Sequence, residues 1–108
     1  MALTSTAYRT LIESAVATPD LDLYLSAWSS SAVLAGAEDE ADAILTNIHT
    51  IVHMTVKELL KAAGLTQAAA AERFLIPKRT VENWTAGVSA CPLYTKLMMA
   101  ELLGIFSR

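Results

Sequence analysis

Residues 65–87, LTQAAAAERFLIPKRTVENWTAG, decide the fold of this 108-residue chain. Thr66 is a candidate N-cap, because its hydroxyl can accept a hydrogen bond from a free N–H of the turn that follows. The pattern then predicts a short helix over residues 67–74 and a three-residue turn at 75–77. A second helix begins with the proline of that turn and ends at Gly87, as helices often do. The stretch therefore predicts two short helices joined by a tight turn.

The second of these helices has one apolar and one polar face. Val81 and Trp84 lie three residues apart and face inward, as does Phe74 of the first helix. We expect Trp84 to be buried, so its truncation would cost about 3–5 kcal/mol. The outward positions near the start of the helix are Lys78, Arg79, Glu82 and Asn83. Two helices joined in this way form the helix-turn-helix layout, whose second helix presents its start to the major groove of DNA.

The outward residues carry the chemistry that base reading needs. Lysine and arginine donate to O6 and N7 of guanine, and asparagine pairs with N6 and N7 of adenine. Glu82 either accepts from N4 of cytosine or repels phosphate. The alternative interpretation is an ordinary solvated helix face, but the flanking pattern favours a recognition helix.

The residues around this motif extend the pattern over 55–103, about half of the chain. The matching positions are Gly64, Leu65, Thr66, Gln67, Ala71, Phe74, Ile76, Pro77, Val81, Trp84, Gly87 and Pro92. This ordered set resembles the lambda-repressor-like, Xre-type helix-turn-helix family. The resemblance implies a five-helix domain whose third helix reads bases, in proteins that are mostly transcriptional regulators, often dimeric, and in some cases antitoxins. It implies base contacts for Lys78, Arg79 and Asn83, and a phosphate or base-edge contact for Gln67.

The candidate DNA-binding set taken from motif and resemblance together is Thr66, Gln67, Lys78, Arg79, Thr80, Glu82 and Asn83. One departure from the family concerns the turn, where Leu75 stands at a position that is often glycine. A left-handed backbone would cost leucine about 1–2 kcal/mol. We therefore expect the turn to differ slightly from that of the family.

The N-terminal half also shows helical spacing. Residues 6–17 place apolar side chains on one face, and residues 21–28 do so too, although 21–25 also alternate like a strand. A break is expected at 29–31 and at Gly36. The next segment opens with three acidic residues at 38–40, which suit a first helical turn, and continues with an apolar stripe over 41–52, so it predicts an amphipathic helix of about four turns. Thr55 either starts a new helix with a capping box or lies inside one long helix.

Composition and charge set the fold class and the division into domains. The chain is 54% hydrophobic and 18% charged, with few glycines and prolines, which indicates an all-α fold. Residues 1–54 carry one base and seven acids, whereas residues 55–108 carry seven bases and four acids. We interpret 1–54 as an acidic helical extension for dimerisation or partner binding, and 55–108 as the DNA-binding domain.

Several classes of function are disfavoured. The single cysteine, Cys91, excludes an internal disulfide framework, and we interpret it as a packing residue. His49 and His53 are spaced i, i+4 at the edge of an apolar stripe and are interpreted as a boundary pair, not as metal ligands. No signal peptide, membrane span or catalytic motif is apparent, so we expect a cytoplasmic protein that is not an enzyme and has no cofactor.

The sequence thus predicts a sequence-specific regulator of transcription, a repressor that binds double-stranded DNA as a homodimer. The alternative is a protein-interaction module or antitoxin component whose acidic N-terminal half binds a protein partner. Lys78, Arg79 and Asn83 on an outward face favour the first hypothesis, because a pure scaffold would not need them. Tyr94, Met98, Met99 and Leu102 offer more apolar surface than one small domain uses, either as deeper core or as a dimer interface.

Overall fold

The computed structural model describes residues 5–34 and 38–104, and every regular element in them is helical. The α-helices are α1 (Ser5–Ala17), α2 (Leu21–Trp28), α3 (Ala41–His53), α4 (Val56–Ala63), α5 (Gln67–Phe74), α6 (Lys78–Ala86) and α7 (Leu93–Leu102). Short 3-10 helices occupy Ala32–Leu34 and Glu38–Glu40. The chain divides between His53 and Met54 into two compact units, here called the first and the second unit. The all-α prediction is confirmed for the described residues.

The first unit is built on α3, against which both α1 and α2 pack. The apolar positions expected in α1 are buried, and Tyr24 of α2 is fully buried. Residues 21–28 are helical throughout, because the Asp20 carboxylate accepts hydrogen bonds from the N–H groups of Asp22 and Leu23 at 2.9 and 3.4 Å. The three acids expected in the first turn of α3 lie just before it, in the 3-10 helix Glu38–Glu40. The break expected at Gly36 lies outside the described residues.

Side chains of α3 close the C-terminal end of α1. His49 Nε2 lies 2.8 Å from the carbonyl oxygen of Thr18, and His53 Nε2 lies 2.7 Å from that of Ala15. A carbonyl oxygen only accepts, so both rings donate from Nε2. The two ring centroids are 4.4 Å apart. These histidines therefore cap a helix end whose carbonyls have no partner within the helix itself.

The second unit begins with a capping box. The Glu58 N–H donates to Thr55 Oγ1 at 3.1 Å, and the Thr55 N–H donates to Glu58 Oε1 at 3.0 Å. Because these bonds satisfy free N–H groups at a helix start, α4 is a separate helix and not a continuation of α3. The Thr55 N–H and the Thr55 hydroxyl, which donates to the same Oε1 at 3.0 Å, lower the pKa of the Glu58 carboxyl. Gly64, with φ of 71°, ends α4 in the left-handed conformation.

The connection between α5 and α6 has a different geometry from the one expected. Thr66 caps α5 by accepting from the Ala69 N–H at 3.1 Å, as predicted. Leu75 ends α5 with φ of 55° and ψ of 40°, the left-handed conformation that we expected leucine to avoid. In this conformation the next residue, Ile76, donates its N–H to the carbonyl of Ala71 at 3.0 Å. The turn therefore keeps its left-handed residue without a glycine.

Aromatic side chains contribute less to the core of the second unit than the sequence predicted. Val81 of α6 is buried, but Trp84 and Phe74 are only partly buried, so the prediction of a buried Trp84 is wrong. Trp84 lines a surface cavity of about 360 Å³, which leaves part of its indole in water. On α7, Met99 joins the core. Tyr94, Met98 and Leu102 remain exposed, which argues against their being deeper core.

Candidate nucleic-acid interface

The start of α6 carries two freely accessible cations. Lys78 and Arg79 are the first two residues of the helix, and both are exposed. The helix begins after Pro77 without a side-chain cap, and buried Val81 fixes its rotation. The local sequence thus places both cations in solvent at the end of the helix nearest the turn.

The other positions predicted on this helix are less open than expected. Glu82, Asn83 and Thr80 are partly buried, so the outward placement expected for Glu82 and Asn83 is only partial. The main-chain carbonyl of Asn83 accepts from the Val88 N–H at 2.9 Å, just after the helix ends at Gly87. The Thr85 hydroxyl donates to the carbonyl of Glu82 at 3.0 Å. The face that remains fully open consists of Lys78 and Arg79.

The start of α5 contributes the remaining predicted residues. Thr66 and Gln67 are both exposed. The Thr66 hydroxyl is engaged as the helix cap. Gln67 lines one groove together with Glu82 of α6, so the structure brings these two predicted residues together.

Sequence reasoning missed two cations on α4. Lys57 and Lys61 are exposed and line a groove with Gln67 and Thr66. The available signal was their i, i+4 spacing, which puts them on one face of α4, next to buried Leu60. The sequence could not show which element that face adjoins, because the answer depends on how α4, α5 and α6 pack.

The lysine and arginine side chains of the second unit differ in how accessible they are to a ligand. Its exposed cations are Lys57, Lys61, Arg73, Lys78 and Arg79. None of them forms an ion pair or a side-chain hydrogen bond with another described residue. Lys96 is different, because its Nζ donates to the Met54 carbonyl at 2.8 Å and burial lowers its pKa. Five positive charges are therefore available to a ligand despite the net charge of −3 of the whole chain.

The cavity beside Trp84 also holds the only thiol of the chain. Cys91 and Lys96 line it with Trp84. Burial raises the pKa of the Cys91 thiol, and the nearby Lys96 charge offsets this only in part. The thiol lies 3.5 Å from the carbonyl oxygen of Pro92. Because the thiolate is the reactive form, Cys91 is a poor nucleophile at neutral pH.

No helix among the described residues is long and apolar enough to cross a membrane. No group of three His, Cys, Asp or Glu side chains in this part of the chain is arranged to hold a metal ion.

Comparison with known proteins gives no match: no family model, no curated protein and no solved structure is similar to this chain.

Proposed function

We propose that the chain binds double-stranded DNA in a sequence-specific manner, with α5 and α6 as a helix-turn-helix and the start of α6 in the major groove. The observation that carries this proposal is the pair Lys78 and Arg79, exposed and unpaired at the first turn of a helix that Val81 anchors. Cations at this end of a recognition helix are placed to reach base edges. The lambda-repressor-like resemblance of residues 55–103 points to the same function.

The roles within the site follow from accessibility. Arg79 reads a base edge, and Lys78 contacts either a base or a phosphate. Gln67 contacts the backbone from the start of α5. Glu82 and Asn83 are partly buried, so they have a smaller share in base reading than Arg79. In the cell, the protein would act as a homodimeric repressor in the cytoplasm.

A second candidate is a module that binds a basic protein partner through the first unit. The observation that favours it is the set of exposed carboxylates Asp20, Asp22, Asp39, Glu40 and Asp42. Arg9 is the only Lys or Arg among the described residues of this unit, and it is paired with Glu13 at 2.9 Å. An antitoxin would combine this surface with DNA binding.

The deciding experiment is a gel-shift titration of the wild type with a selected duplex and a scrambled duplex over a salt series. For DNA binding we expect tighter association with the selected duplex and a linear fall of log K with log salt, because bound cations release counterions. Failure to retain either duplex at low salt would contradict the proposal and leave the protein-binding module as the better hypothesis.

A further inference from the structure

A groove with charged residues in its lining is shared by α4, α5 and α6. Two adjoining hollows, of about 360 and 280 Å³, share Lys57, Gln67 and Thr85 among their lining residues. Lys61 and Thr66 line the first hollow, and Glu82 lines the second. We call this the α4–α5 groove. It contains Gln67 and Glu82 of the DNA interface proposed above, so a ligand on α6 would extend towards it.

The two cations of this groove stand differently towards the helix that carries them. Lys57 is the second residue of α4, where the positive end of the helix macrodipole disfavours a cation. Lys61 lies in the last turn, where the dipole favours a cation, but it is also four residues from Lys57, and like charges at this spacing repel each other. Neither ammonium group has an ion-pair partner among the described residues. A locally unfavourable charge such as that of Lys57, with a second cation beside it, is expected where a ligand compensates it.

The charges in the groove define the chemistry of that ligand. An anion placed between Lys57 and Lys61 relieves their mutual repulsion. Glu82 lines only the second hollow, and its carboxylate repels the same anion, so the anion binds in the first hollow, which both lysines line. The Gln67 amide lines both hollows and offers an uncharged donor. A phosphodiester meets these requirements without any base contact.

We propose that Lys57 and Lys61 bind the phosphodiester backbone of the same DNA duplex, as a contact that is independent of sequence. This inference rests on the proposed function and adds α4 to an interface otherwise made by α5 and α6. The two lysines add affinity for any duplex, whereas Arg79 discriminates among sequences.

The test uses the full chain with Lys57→Gln, Lys61→Gln and the double variant, each titrated against a selected and a scrambled duplex over a salt series. Each substitution should lower the magnitude of the salt slope by about 0.9, and the double variant by about 1.8. A fourfold rise in salt should then weaken the wild type about 3.5 times more than a single variant. Both duplexes should lose affinity by the same factor, and the preference between them should stay unchanged.

Arg9→Gln is the matched control, because it removes one exposed positive charge from the first unit. It should leave the salt slope at the wild-type value. Thermal unfolding followed by circular dichroism should show that Lys57→Gln and Lys61→Gln fold as the wild type does, since both side chains are exposed.

Three outcomes would overturn the inference. Wild-type slopes for Lys57→Gln and Lys61→Gln, with discrimination still lost in Arg79→Ala, would reject the α4 contact and leave the proposed function intact. An equal fall in slope for Arg9→Gln would show an effect of net charge and not of this groove. No DNA binding by the wild type would reject both proposals.

Discussion

Leu75 has a backbone conformation that its side chain disfavours. Its φ of 55° lies in the left-handed region, and its side chain is 91% exposed. The left-handed conformation costs a residue with a Cβ about 1–2 kcal/mol, and exposure leaves little burial to offset that cost. The hydrogen bond from the Ile76 N–H to the Ala71 carbonyl depends on this conformation.

We therefore expect Leu75→Gly to stabilise the protein by about 0.5–1 kcal/mol. The relief of strain outweighs the greater flexibility of glycine in the unfolded chain, which offsets about 0.5–1 kcal/mol. Urea unfolding measures the difference. Leu75→Ala is the control, since alanine keeps the Cβ and should show no such gain. Equal or lower stability of Leu75→Gly would mean that the leucine side chain contributes to the fold.

Substitution of Arg79 distinguishes sequence-specific DNA binding from binding that is independent of sequence. Arg79→Ala should weaken binding to the preferred duplex by about 1–3 kcal/mol and reduce discrimination against a scrambled one. Its side chain is exposed and unpaired, so the thermal unfolding midpoint should not change.

The comparison variant is Gln67→Ala. It should weaken both duplexes slightly and alike, with little change in salt slope, because glutamine releases no counterion. Wild-type binding of both duplexes by Arg79→Ala would show that the open face of α6 does not read DNA.

At the scale of elements, the signals that act within a few residues predicted the structure well. The bounds of α5, the capping box of Thr55 and Glu58, and the left-handed Gly64 and Gly87 all depend on local hydrogen bonds. The donor and the acceptor of each of these bonds lie within about five residues of each other in the sequence. The sequence therefore predicted the bounds of α5 and the ends of α4 and α6 at glycines, but it left open whether Thr55 starts a helix and placed the start of α3 too early.

Burial and contacts that depend on how several helices pack together could not be predicted from such local signals. Trp84 is partly exposed because a cavity adjoins it, and no spacing within α6 indicates that cavity. Lys57 meets Gln67 only through the packing of α4 beside α5 and α6. The apolar pattern of residues 21–25 fitted a strand as well as a helix. In the structure these residues belong to α2, which packs on α3, and the sequence did not show that contact.

The capping box of α4 gives a prediction that depends on pH. Thr55→Ala should cost about 1 kcal/mol at neutral pH, the usual value for a lost N-cap. The lowered pKa of Glu58 means that its contribution is present above the pKa of the unfolded chain and is lost as the pH falls through the lowered folded value. Urea unfolding at neutral and acid pH should show that Thr55→Ala loses the part of this acid dependence that the hydroxyl contributes, whereas the part due to the backbone N–H of residue 55 remains. Parallel pH profiles for variant and wild type would contradict the capping account.

At the scale of the whole molecule, the division of charge follows the division of structure. The boundary between the two units lies between His53 and Met54, next to the point where the sequence changes from mostly acidic to mostly basic. A protein with this distribution repels polyanions with one unit and attracts them with the other. Its net charge of −3 is therefore a poor guide to its DNA affinity.

The exposed apolar face of α7 supports the expectation of a homodimer. Tyr94, Met98 and Leu102 are 70, 58 and 66% exposed, and the last two border an apolar hollow of about 270 Å³. Light scattering at high micromolar concentration should give twice the chain mass of 11.6 kDa. Met98→Lys should shift the protein to monomer without unfolding it. A strict monomer of the wild type, with and without DNA, would refute this prediction.

The closure of α1 by His49 and His53 has a consequence for how the first unit opens. A free helix end frays, and its last amides exchange with solvent quickly. Here α1 can fray from its C-terminal end only if two rings on α3 lose their acceptors as well. We therefore expect amide hydrogen exchange at residues 14–18 to be as slow as within α3, so that both helices open in one cooperative event. His53→Ala should release this end and accelerate exchange there, while α3 retains its protection.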